Sequence, residues 1–111
     1  MAKYILASDM DGIQRIAYRN IKSCFENTTG EWYNCIMDGC PECIPDTMEE
    51  AKQEIYELCL QNKYDNGYCG WQKAPKEMRF AGEMFIRVAI DKLFMDDPDG
   101  DVGAIAEEKG W

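Results

Sequence analysis

Between Pro75 and Pro98 the apolar residues recur every three or four positions: Met78, Ala81, Phe85, Ala89 and Leu93, with Gly82, Ile86, Ile90 and Phe94 widening the stripe. That period belongs to an α-helix, and so broad a stripe requires neighbours on several sides. Pro75 suits the first turn of such a helix, and Pro98 with Gly100 ends it. One long, centrally buried helix is therefore expected here. In a chain of 111 residues it leaves room for a single domain, whose core can form without disulfides or metal.

Two further helices are expected. Thr47 and Glu50 make a capping box, and Met48, Ala51, Ile55, Leu58 and Cys59 follow on one face, with Asn66-Gly67 as the turn beyond. Nearer the start, Ser8 and Asp11 look like a capping pair. Ile13, Ile16, Ala17, Ile21, Cys24 and Phe25 then recur at helical steps, which predicts a helix over residues 9–25. Asn27 to Gly30 reads as a turn, and Glu31-Trp32-Tyr33-Asn34-Cys35-Ile36 as a short strand. The expected fold class is mainly α: a compact three-helix domain over residues 1–111, with at most a short β-strand pair beside it. An acidic tail is expected over about residues 96–111. Trp32, Tyr33, Tyr64, Tyr68, Trp71 and Trp111 fall largely outside the helical stripes, where they either cover the ends of a small core or anchor a partner.

Charge narrows the function classes. The chain has 21 acids and 12 bases, a net charge of −9, and no histidine. Residues 1–30 carry three acids and four bases, residues 31–90 eleven and six, and residues 91–111 seven and two. Such a field repels nucleic acid and anionic membranes and attracts basic surfaces. Direct nucleic-acid or membrane binding is thus not expected, and a basic protein, such as a nucleic-acid-binding enzyme, is the partner class that fits. Triads that need histidine are excluded, and Gly67 and Gly70 match no phosphate-cradling loop. Met1 to Ala7 has too short an apolar run for a signal peptide, and no apolar run reaches membrane length. The expectation is a cytoplasmic protein with reduced cysteines.

Three partial motifs bear on chemistry. Tyr4-Ile5-Leu6-Ala7-Ser8-Asp9-Met10-Asp11-Gly12 resembles the opening motif of haloacid dehalogenase-like phosphatases, an apolar strand followed by Asp-x-Asp-Gly-Thr. The resemblance implies that Asp9 attacks phosphorus, that Asp11 acts as acid and base, and that Asp9 and a backbone carbonyl hold Mg²⁺. It also gives Asp96-Asp97 the place of the late metal-binding acids. Ile13 stands where that family has Thr, and an amphipathic helix follows where it has a flap. The competing reading makes Ser8, Asp9 and Asp11 a helix cap beside the positive end of the dipole. On that balance no enzyme is expected.

Asp97, Asp99, Asp101 and Glu108 fall at positions 1, 3, 5 and 12 of a stretch that resembles an EF-hand calcium loop. Val102 occupies the position where the turn needs Gly, so a solvated acidic tail is the competing reading. Cys40-Pro41-Glu42-Cys43 resembles a zinc knuckle, because a two-residue gap lets both thiolates reach one tetrahedral ion. With Cys35 it also has the ligand spacing of plant-type ferredoxins. Cys35, Cys40 and Cys43 are the metal ligands if the chain holds zinc. The competing expectation is free thiols and no cofactor, with Cys24 and Cys59 in the core.

A binding surface needs less. Glu50, Glu54 and Glu57 lie on the polar face of the second helix, Tyr68 and Trp71 in the loop after it, and Asp97, Asp99 and Asp101 in the tail. In size, acidity and lack of catalytic motifs the chain resembles the small accessory proteins of phages and mobile elements, the anti-CRISPR proteins among them. That resemblance implies stoichiometric inhibition, without a cofactor, by occupying the nucleic-acid site of a partner protein.

Overall fold

The computed structural model describes residues 10–61, 75–97 and 100–111. Expectations that fall on Ser8, Asp9, Tyr64, Asn66-Gly67, Tyr68, Cys69, Trp71, Pro98 and Asp99 lie outside the described residues. Within them the chain forms α1 (Gly12–Met37), a 3-10 turn (Pro41–Cys43), α2 (Met48–Gln61), α3 (Pro75–Ala81), α4 (Glu83–Asp96) and α5 (Asp101–Lys109), and no strand. The mainly α class holds. The three-helix arrangement does not, and each departure has a local cause.

The first departure is the length of α1. Its cap is Asp11, whose carboxylate accepts the Gln14 N–H at 2.8 Å while Gln14 Oε1 accepts the Asp11 N–H at 3.3 Å. This reciprocal box satisfies two amide donors at the helix start. At the other end, neither the expected turn at residues 27–30 nor the strand at 31–36 forms, and α1 runs on to Met37. Thr28 and Thr29 are buried, and the Thr29 hydroxyl donates to the Phe25 carbonyl one turn back at 2.7 Å. A threonine satisfied in this way can sit inside a helix. The buried stripe therefore continues from Ile21, Cys24 and Phe25 through Thr28 to Trp32. Trp32 is only 5 % exposed and Tyr33 packs against the core, so of the two readings open for these aromatics both follow the core-covering one.

The second departure is Gly82. Its backbone lies at φ +90°, ψ 147°, a conformation that essentially only glycine adopts without strain. The expected long helix is thereby divided into α3 and α4. Spacing hides the break, because Met78 and Ala81 before it and Ile86, Ala89, Ile90, Leu93 and Phe94 after it are all buried. Gly82→Ala should therefore destabilise the fold by about 1–3 kcal/mol, the cost of holding a side chain in that region. In an uninterrupted helix the same change would stabilise by about 1 kcal/mol. The sign of the shift in the urea midpoint decides between them.

The third departure is the tail, which is helical. Val102 and Ile105 of α5 are buried, Gly110 closes the helix at φ +77°, and Lys109 reaches Asp46 at 3.5 Å. An EF-hand loop must wrap its ligands around one ion in non-helical backbone. Here the stretch from Asp101 onward is α-helix and Glu108 points to solvent, so the calcium loop does not form.

All four other helices pack on α1, which makes α1 rather than the 75–97 segment the central helix. One apolar core draws on every helix and includes an edge-to-face pair, Phe25 on Phe94, with ring centroids 5.1 Å apart. No helix among the described residues is long and apolar enough to cross a membrane.

Candidate functional site

The charged face of α2 is set by how α2 meets α4. Thr47 Oγ1 accepts the Glu50 N–H at 3.1 Å, so the predicted cap is in place and fixes the start of the helix. Ala51, Ile55, Tyr56, Leu58 and Cys59 then turn into the core. Tyr56 is locked against α4: its hydroxyl donates to Glu83 Oε1 at 2.6 Å, and the Arg87 guanidinium lies 3.8 Å from the centre of its ring. Burial and the Glu83 carboxylate push the Tyr56 hydroxyl pKa up, so it remains a donor. Arg87 also donates to Gln53 Oε1 at 3.3 Å. A cleft of about 400 Å³ runs along this seam.

Lys52 is the one base on α2. Its ammonium is turned toward α4, pairing with Asp91 at 3.2 Å and lying over the Phe94 ring. Glu49, Glu50, Glu54 and Glu57 are all exposed, with Gln53 donating to Glu57 at 3.1 Å. The three α2 residues singled out from the sequence thus share one solvent-facing helix. Asp97 at the end of α4 and Asp101 at the start of α5 form a separate group. With Asp96 they line a second cleft, of about 510 Å³, between α1, α4 and α5. Sequence reasoning missed Asp91, which pairs with Lys52 across the α2–α4 seam. It also missed Phe80 and Met84, which flank Gly82 and are 66 % and 74 % exposed.

The cysteines divide as their spacing suggested. Cys24 and Cys59 are buried in the core. Cys35, in the last turn of α1, comes close to Cys40 and Cys43 in the 3-10 turn because the Cys40 N–H bonds back to the Cys35 carbonyl at 2.8 Å. Cys40 Sγ and Cys43 Sγ are 3.5 Å apart, and the Cys40 thiol donates to Glu42 Oε1 at 3.1 Å. Cys43 is also the thiol that acts on Cys35. Among the described residues, the charged side chains acting on Cys35 and Cys40 are acids. The Glu42 carboxylate, then Cys43, push the Cys40 pKa up to about 12. Burial, then Cys43, Asp38 and Glu31, raise that of Cys35. Among the described residues no three Cys, Asp or Glu side chains converge on one point ready to hold a metal ion. Cys40 and Cys43 form a hydrogen-bonded pair with Glu42 at its end, and Cys35 lies beside them at the end of α1.

Of the N-terminal motif, Asp11 lies within the described residues, where its carboxylate is engaged in capping α1.

Fold and surface together define a small, mainly helical domain with a carboxylate-covered helix and three thiols at the turn after α1. No family model, no curated protein and no solved structure matches the chain.

Proposed function

We propose that this domain is a non-enzymatic binding protein that engages a basic partner through the outer face of α2, occupying a surface the partner uses for nucleic acid, in the manner of an anti-CRISPR inhibitor. One observation carries the reading. The only base on α2 is turned to Asp91 on the neighbouring helix, while four glutamates of α2 face solvent. Exposed carboxylates add little to folding even when paired, whereas an acid-rich helix face steers an oppositely charged partner. The net charge of −9 gives the rest of the molecule the same sign. Exposed Phe80 and Met84 add apolar anchors of the kind that hold an encounter complex once charge has formed it.

The test uses the intact chain with Glu50, Glu54 and Glu57 all changed to Lys. These positions are exposed, and Lys is as good a helix former as Glu, so the helical signal should be unchanged. Wild type, immobilised and exposed to host lysate at low salt, should retain basic nucleic-acid-binding proteins that added DNA displaces, and the variant should retain few of them. Equal retention by the two proteins would remove the α2 face from the account.

A further inference from the structure

We propose that the turn after α1 is a metal-uptake site, in which Cys40 and Cys43, joined by Cys35, bind one borderline-soft divalent cation of the zinc type as thiolates. This inference does not rest on the binding function above.

Distances come first. The Cys40 and Cys43 sulfurs are 3.5 Å apart. Two thiolates about 2.3 Å from one tetrahedral zinc lie about 3.8 Å from each other, so this pair needs to open by only a few tenths of an ångström. Glu42 Oε1 is 3.1 Å from Cys40 Sγ, against about 3.5 Å between an oxygen and a sulfur ligand on such an ion. Cys35 enters from the last turn of α1, directly before this turn. Its backbone is held in place by the bond from Cys40.

A bound cation displaces the thiol protons and draws the sulfur lone pairs to one centre, with one proton released for each thiol bound. Cys43 is exposed, so no core packing resists the change.

The surroundings choose between metal and redox chemistry. A reactive thiol needs positive neighbours that stabilise its thiolate. Among the described residues, the charged side chains acting on Cys35 and Cys40 are Glu31, Asp38 and Glu42, all acids. They disfavour attack on a disulfide and attract a divalent cation. Three sulfurs with one carboxylate then select zinc-like ions over calcium or magnesium, which take oxygen. Occupation would tie the last turn of α1 to the turn that leads into α2.

The experiment titrates the full-length, metal-free, reduced chain with Zn²⁺, and with Co²⁺ as its spectroscopic stand-in. One equivalent should bind, with proton release, a rise in Tm that grows with metal concentration, and a sulfur-to-cobalt charge-transfer band with tetrahedral d–d absorption. Cys40→Ser and Cys43→Ser should each weaken binding by more than the 10–100-fold that loss of an outer-shell group costs. Cys35→Ser should weaken it and lower the charge-transfer intensity. Circular dichroism of Cys43→Ser, altered at an exposed position, checks that the fold is retained. Octahedral cobalt without the charge-transfer band, or binding unchanged in Cys40→Ser and Cys43→Ser, would overturn the proposal. Binding unchanged in Cys35→Ser alone would overturn the part given to Cys35.

Discussion

Trp32→Ala lowers the unfolding free energy by about 3–5 kcal/mol, the range for removing a large aromatic from a packed core. The size of the effect follows from where α1 ends. If residues 31–36 were a strand after a turn, Trp32 would sit at the margin of a small domain, and its loss would be mild. In the continuous helix Trp32 is 5 % exposed and extends the stripe through Phe25 and Thr28. Trp32→Phe keeps most of the buried volume and should cost clearly less. Urea unfolding followed by circular dichroism measures both. A loss below about 1 kcal/mol, the scale of an ordinary surface change, would contradict the extended α1.

The second large effect belongs to α5. Ile105→Ala should cost about 2–5 kcal/mol, because Ile105 has no exposed surface and packs into the common core. Neighbouring Ala104 is exposed, and Ala104→Ser should move stability by about half a kcal/mol or less. That contrast separates a docked helix from a solvated acidic tail, for which both changes would be neutral. Unfolding should also remain a single transition in Ile105→Ala, since α5 shares its core with α1.

What the sequence made legible follows the strength of each local pattern. The α2 segment was readable because its cap and stripe are both intact, and Thr47 does cap Glu50. The mainly helical class was readable from the 75–97 stripe, yet that stripe concealed Gly82. A glycine in a positive-φ break leaves three- and four-residue spacing undisturbed on either side, and only its backbone angles reveal it. The extension of α1 was hidden for the opposite reason. Asn27-Thr28-Thr29-Gly30 has the composition of a turn, and it is burial of Thr28 and Thr29 in the folded core, with the Thr29 hydroxyl satisfied on the Phe25 carbonyl, that accommodates it in a helix. In α5 two apolar residues among acids carry too weak a periodic signal, and packing on α1 supplies what propensity does not.

The candidate sites show the same division. Cys35, Cys40 and Cys43 were singled out by spacing alone, and the fold gathers them at the turn after α1. Glu42 was overlooked, although its position between two cysteines places a carboxylate against their thiols. The glutamates of α2 were singled out by a helical reading that held. The turn of Lys52 toward α4 depends on a contact with Asp91, 39 residues further along the chain, which no local pattern encodes.

The binding account stands or falls on association kinetics. The measurement is the rate constant for association with a captured basic partner, for wild type and for the chain carrying Glu50→Lys, Glu54→Lys and Glu57→Lys, across a salt series. Steering by exposed charges acts mainly on the on-rate and is screened over about 8 Å at physiological ionic strength. The account predicts association about tenfold or more slower in the variant at low salt, with the two rates converging as salt is raised and the dissociation rate little changed. Equal association rates at low salt, with binding intact, would contradict it.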